Sequence, residues 1–215
     1  MTPNIKPMAL KEGFRPALAG ASILLLTGPS GSGKSTLAQA LEDRAWERLD
    51  GDDLARSLYV PGSALLKDLQ RIFGKSVVKA DGHLDRVRLG EIVFPSLAQR
   101  KRLNALVYPR FLRAVKTAVQ NARREHRALV ADVAVYFDAG APDLGVPVLL
   151  VDAPLALRVK RLRQRGLDAP RARAQATALS FGAAERKQAT AVLDGRLPKA
   201  ALRRQLLKLL QPVEG

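Results

Sequence analysis

Residues 28–36 read Gly-Pro-Ser-Gly-Ser-Gly-Lys-Ser-Thr, directly after the apolar run Ile23-Leu24-Leu25-Leu26-Thr27. Strand, glycine loop and helix start follow one another, which is the context a G-x-x-x-x-G-K-[ST] loop needs to hold a polyphosphate. The glycines let backbone N–H groups close around a di- or triphosphate. The helix expected from Lys34 turns its positive dipole end toward the same anion. Gly28, Ser30, Gly31, Ser32, Gly33, Lys34, Ser35 and Thr36 are therefore expected to bind a nucleotide. Lys34 can reach the β and γ phosphates, and the Ser35 hydroxyl can hold Mg2+.

The chain has 215 residues, enough for one generous domain or a domain with a subdomain. It contains no cysteine, so disulfides, thiolate catalysis and cysteine-bound zinc are excluded. No segment reaches the roughly 18 apolar residues of a bilayer span. These features fit a reducing compartment, and a cytoplasmic protein without a membrane partner is expected. The net charge of +16 favours anionic partners. Aromatics make up only 5%, leaving little material for base stacking, so the sequence argues against a nucleic-acid binder.

The punctuation predicts alternating strands and helices. Strands are expected at Ile23–Thr27, near Trp46–Leu49, at Ala128–Val135, Val146–Val151 and Ala191–Leu193. Helices are expected over Lys34–Arg44, Leu54–Tyr59 and from a Ser63 N-cap to Phe73. A helical stretch from Arg86 to Arg124 should break at Pro95 and Pro109. Pro154 suits the first turn of a helix reaching Arg165. A further helix lies between Pro170 and Gln188, interrupted at Gly182, and Lys199–Leu210 closes the series. Such alternation predicts an α/β protein, a parallel sheet flanked by helices. An extended leader at 1–20 precedes a domain at 21–215. Its core is expected at 21–53 and 127–215, with a helical insertion at about 54–124 and a lid at about 154–188.

Phosphoryl transfer needs a carboxylate at the acceptor hydroxyl and cations at the transferring group. Asp50-Gly51-Asp52-Asp53 follows the second strand and is the best carboxylate source. On an extended segment side chains two apart point the same way, so Asp50 and Asp52 could act together. The bland alternative is an N-cap followed by acidic first-turn residues. Arg158, Arg161 and Arg165 are spaced to share one helix face, an arrangement that makes sense against an anion. A solvated basic face is the bland alternative there.

Beyond the phosphate loop the chain resembles the dephospho-CoA kinase family from about Ile23 to Leu210. Asp50-Gly51-Asp52 with Ala55-Arg56 is similar to its D-A-D-x-x-A-R segment. Pro61-Gly62-Ser63-Ala64-Leu65, Phe73-Gly74 and Asp81-Gly82-x-Leu84-Asp85-Arg86 follow in the family's order. Leu89, Val93-Phe94, Leu103-Asn104-x-Leu106 and Val151-Asp152-Ala153-Pro154 come next, with Arg161 and Arg165 after them. The resemblance implies a P-loop NTPase fold with a five-stranded parallel sheet, a helical substrate-binding insertion and an arginine-bearing lid. It implies transfer of the γ-phosphoryl of ATP, with Mg2+, to the ribose 3′-hydroxyl of dephospho-CoA. Asp52 would be the general base and Asp50 its neighbour at the magnesium site. Arg161 would stabilise the transferring phosphoryl, and Arg165 would contact the nucleotide. Arg56, Arg86, Tyr108 and Asp138 would belong to the acceptor side.

Several positions depart from the family pattern. Tyr108-Pro109 stands for His-Pro, Asp138 for a glutamate one methylene longer, Ala189-Thr190 for Ala-Asp and Gly195 for an asparagine. Pro29-Ser30 replaces Gly-Ile inside the loop, as in uridine kinases. A nucleoside or another small hydroxyl compound is the alternative acceptor. A non-catalytic nucleotide-binding regulator of polyanion contacts is the alternative outside enzymes.

Overall fold

The computed structural model describes residues 18–211. Residues 1–17 of the expected leader lie outside the described residues. Five strands form one sheet: β1 (Ile23–Thr27), β2 (Glu47–Asp50), β3 (Leu129–Asp132), β4 (Val148–Asp152) and β5 (Ala191–Asp194), in the order β2-β3-β1-β4-β5. β1 pairs in parallel with β3 and β4, and β4 with β5. Every residue of β1 is buried, as a central parallel strand covered on both faces requires.

Nine helices complete the described elements: α1 (Lys34–Glu42), α2 (Gly51–Ser57), α3 (Ala64–Phe73), α4 (Arg86–Val93), α5 (Leu97–Arg124), α6 (Leu155–Gln164), α7 (Ala169–Thr177), α8 (Ala183–Gln188) and α9 (Lys199–Leu210). A 3-10 turn covers Lys75–Val77.

The chain divides into two compact units. Residues up to Leu49 and from Val119 onward make one; Asp50–Ala118 make the other. The core of the first unit is the apolar side of α1 and α9 against the sheet: Leu37, Leu41, Leu202, Leu206 and Leu209 pack with Leu24, Leu26, Val151 and Leu193. Leu18 is fully buried in the same cluster, and Gly20 donates its N–H to Leu210 O (3.2 Å). The second unit has its own core. Leu65, Leu66, Leu69 and Phe73 of α3 meet Leu89 and Val93 of α4 and Val107 of α5. Ser63 caps α3 by accepting from Leu66 N–H, as its position before the apolar run predicts.

Three expectations are corrected. Pro109 does not end a helix: α5 runs through it for 28 residues. Val107, Phe111 and Val115 keep a buried stripe across the proline, so packing outweighs the lost backbone bond. The Arg110 side chain also bonds Leu106 O (2.9 Å) beside the interruption, and its other end holds Asp68 (2.6 Å). The third strand stops at Asp132 instead of reaching Val135. Asp52 is not on an extended segment. It lies in the first turn of α2, and Asp50 is the N-cap.

Candidate phosphate-binding site

The loop between β1 and α1 keeps its shape through contacts with distant segments. Gly28 has φ 142°, and a Cβ there would run into Val151 O of β4, so only glycine fits. Lys34 Nζ reaches back across the loop to Gly28 O (2.8 Å). No side chain caps α1, and no acid sits in its first turn. An uncapped, acid-free helix start suits an anionic ligand, with Thr36 N–H already donating to Gly33 O (3.0 Å). Ser35 is exposed in that turn, while Ser32 is fully buried.

The arginines of α6 and its C-cap split into three roles. Arg158 is only 8% exposed and bonds Ala153 O (2.9 Å) and Ala176 O. It ties α6 to α7 and faces no ligand space, which corrects the shared anion-facing stripe of the sequence reading. Burial lowers its pKa, and the Asp152 charge opposes that shift. Arg161 Nη1 donates to Gly31 O (3.1 Å) and Ser32 O (3.2 Å), and Nη2 donates to Gly195 O (2.7 Å). Burial, and secondly the charge of Arg165, lowers its pKa. Arg165 is exposed, its tip 3.5 Å from Ser35 Oγ.

Gly195 explains one departure from the family pattern. A Cβ at this position would collide with Ser32 O and Asp152 O, so the β5–α9 connection can press against the phosphate loop only as glycine. Beside it, a cavity of about 300 Å³ opens at the ends of β4 and β5, lined among others by Pro154, Arg186, Val192, Asp194 and Gln205. Arg186 pairs with Asp152, and Arg196 with Asp194 (2.7 Å), on its wall.

Asp132 escaped the sequence reading, which placed it inside a longer strand. It is the last residue of β3, in register with Leu26 of β1, and pairs with Arg48 of β2 (2.7 Å). A lone acid inside the apolar run Leu129–Val135 was the signal available. Asp138 follows in the turns after β3. Desolvation raises its pKa, and the Glu185 charge adds to the shift. Phe137 stacks edge-on with Tyr136 and Phe181 there.

The remaining candidates belong to the second unit. Asp50 Oδ1 accepts from the N–H groups of Asp52 (2.9 Å) and Asp53 (3.2 Å). Arg56 pairs with Asp53 along α2, both well exposed. Arg86 lies 5.0 Å over the Tyr59 ring, a cation–π contact. Burial raises the Tyr59 pKa, and Arg86 partly offsets it. Tyr108 is half-buried on α5.

A parallel α/β sheet with this loop at the central strand defines a P-loop nucleotide-binding protein. The comparisons refine that class. The family model for dephospho-CoA kinase matches residues 22–205. A dephospho-CoA kinase of Corynebacterium diphtheriae is 34% identical over 191 residues, 88% of this chain and 96% of that one. One from Geobacillus kaustophilus is 32% identical over 189 residues, 86% and 94% of the two chains. Among solved structures, TT1252 from Thermus thermophilus is 32% identical with a TM-score of 0.67, covering 86% of this chain and 94% of that one. Dephospho-CoA kinase from Campylobacter jejuni shares the fold at 22% identity and TM-score 0.64, over 87% and 94%. The chain belongs to the dephospho-CoA kinase family, whose members are ATP-dependent kinases. No described helix is long and apolar enough to cross a membrane.

Proposed function

We propose that this chain transfers the γ-phosphoryl group of ATP to the 3′-hydroxyl of dephospho-CoA, giving coenzyme A and ADP, in the cytoplasm. The observation that carries the reading is the phosphate loop. It has an uncapped helix start, a lysine across its mouth and arginines of α6 against it, in a chain matched to the family over residues 22–205.

The loop amides of Ser30, Gly31 and Gly33 and the first turn of α1 hold the triphosphate, with Lys34 on the β and γ groups. The base of ATP enters the cavity between the ends of β4 and β5. Ser35 fits Mg2+, because its hydroxyl stands exposed at the loop's end and that ion needs few protein ligands beside phosphates and water. Bound there, the ion would neutralise β- and γ-phosphate oxygens. Asp52 takes the proton of the attacking hydroxyl, and Asp50 fixes the turn that presents it. Arg56, Arg86, Tyr108 and Asp138 bind the acceptor. Asp132, at the end of β3, adds a carboxylate one strand from the loop.

The test offers purified protein and Mg-ATP to dephospho-CoA, uridine, cytidine and pantetheine, following ADP release and acceptor phosphorylation. The expected result is phosphorylation of dephospho-CoA in clear preference. Equal or absent transfer to all four would overturn the acceptor assignment.

A further inference from the structure

Among the described residues, the large apolar side chains that stand exposed all belong to the second unit. The three most exposed, Val87, Phe94 and Leu97, are between 60% and 75% open to solvent. They lie along one short stretch, from the first turn of α4 to the first turn of α5. Val87 and Phe94 are two helical turns apart, so they line up on one side of α4. The Phe94 ring rests on Gly90, where a Cβ would come within 2.8 Å of it, and the rest of the ring is left to water. Leu89 and Val93 turn the other way, into the core. The corner itself is held by hydrogen bonds: Ser96 Oγ accepts from Gln99 N–H (3.3 Å), and Arg100 N–H donates to Ser96 O (3.0 Å).

Cations follow at once. Arg100, Lys101 and Arg102 are exposed, and among the described residues none of the three has a carboxylate partner. Leu97 shares its helix face with Arg100 and Lys101, three and four residues on. The exposed side of α5 continues through Arg113 and Lys116. From Ile92 to Arg124 the sequence has eight arginines and lysines and no acid. Glu91, the one acid within α4, is answered by Arg88 (2.9 Å). Apolar side chains scattered singly need no partner, but three in one stretch beside unpaired cations are a different matter. A nucleic acid would meet the cations and leave Val87 and Leu97 in water. A second copy of a chain with net charge +16 would bring like charges together. An anionic lipid surface answers both kinds of side chain: apolar groups enter the headgroup boundary while neighbouring cations meet the lipid phosphates.

We propose that the α4–α5 corner docks this protein reversibly on an anionic lipid surface, with Val87, Phe94 and Leu97 entering it and Arg100, Lys101 and Arg102 on the headgroups. Such docking needs no membrane-spanning helix, and it departs from the sequence expectation of no membrane partner. It is shallow, because few apolar side chains enter, and reversible by salt, because exposed charges are screened.

The test is co-sedimentation of the full chain with vesicles of phosphatidylcholine alone and with vesicles of an equal mixture of phosphatidylcholine and phosphatidylglycerol. The expected result is binding to the mixed vesicles alone at about 50 mM salt, fading toward about 200 mM. Replacing Arg100→Gln, Lys101→Gln and Arg102→Gln together should weaken binding about 100-fold, roughly fivefold for each charge removed. Phe94→Ser with Leu97→Ser should weaken it at least about tenfold. Should that pair not fold, Leu97→Ser alone, a change outside the described core of the unit, should still cost about threefold to tenfold. Equal binding to both kinds of vesicle overturns the proposal. So does a loss with the cation variant and none with the apolar variants, since that is the general attraction of a basic chain. Single-stranded RNA held through the same three cations, with no vesicle binding, would give the corner to nucleic acid. A wild-type dimer that Leu97→Ser dissociates, again with no vesicle binding, would give it to a second copy, and either result overturns the proposal. Kinase turnover is no part of the readout, so docking is decided whether or not dephospho-CoA is the acceptor.

Discussion

The phosphate loop and helix α2 are both short, charged and central to the proposed chemistry, but they are held in opposite ways. Beside the local Lys34–Gly28 bond, the loop is held by long-range contacts: Arg161 bonds it from 130 and 129 positions away and bonds Gly195 from 34. The described ones of α2 are local. Asp50 bonds amides two and three residues on, and Arg56 bonds Asp53 three residues back. A tertiary lattice fixes dipoles in advance, which suits charge stabilisation. Exposed pairs within one helix are worth about 0.3–0.5 kcal/mol each and exchange freely with solvent or ligand. The contrast is between a loop tied to distant segments and an α2 whose Arg56–Asp53 pair is exposed and local.

The largest effect expected from this contrast is at Asp52. Asp52→Asn should cut turnover by about 10² to 10⁴, the worth of a positioned base, with ATP affinity unchanged. Near-normal turnover would remove α2 from the chemistry and leave the comparison empty. On the loop side, Gly195→Ala forces a methyl group against Ser32 O and Asp152 O. Overpacking of about 1–3 kcal/mol should lower the melting midpoint by about 3–10 °C and weaken ADP in parallel. A variant that melts and binds like the parent would show that the loop does not depend on this contact.

Arg56→Ala should leave the midpoint within about 1 °C, because its partner Asp53 is exposed. Its KM for dephospho-CoA should rise about threefold to tenfold, or roughly 0.7–1.4 kcal/mol. An unchanged KM would mean the side chain is only a surface cation. The smallest effect belongs to Asp194, whose carboxyl is held below the ordinary aspartate range, first of all by the hydrogen bond from Arg196. A carboxyl with a lowered native pKa stabilises the fold above its unfolded value near 3.9, and that support fades as pH falls through the native value. Asp194→Asn should therefore cost about 1–3 °C at pH 7, and that cost should shrink as pH falls below the unfolded value near 3.9. Melting curves across pH would settle it, and an equal cost at both ends would assign the effect to packing.

Much of this architecture could be read from the chain. β1, α1 and the loop between them are specified by neighbouring residues. So are the Ser63 cap and α9, where Leu202, Leu206 and Leu209 repeat at helical spacing. Their signals are local, so the sequence displays them directly. Pro109 misled because its local cost is outweighed by the buried stripe of Val107, Phe111 and Val115 on α5. Asp52 misled because the N-cap geometry of Asp50 begins α2 at Gly51, three residues before the expected start at Leu54. Spacing put Arg158, Arg161 and Arg165 on a single face, but no spacing rule reveals that Ala176 lies against the first or Gly195 against the second. Asp132 went unread because strand length is the least local quantity of all: β3 ends where its pairing with β1 ends.

The clasp that Arg161 makes has a consequence for synthesis. Residues 28–36 leave the ribosome early, while the guanidinium and the carbonyl that complete their frame belong to positions 161 and 195. At about 5–20 residues per second, that interval is on the order of 10–30 s. A nascent chain shorter than this carries the nucleotide motif without its full grip, so tight ADP binding is a late event in its birth and a direct readout of the finished C-terminal half.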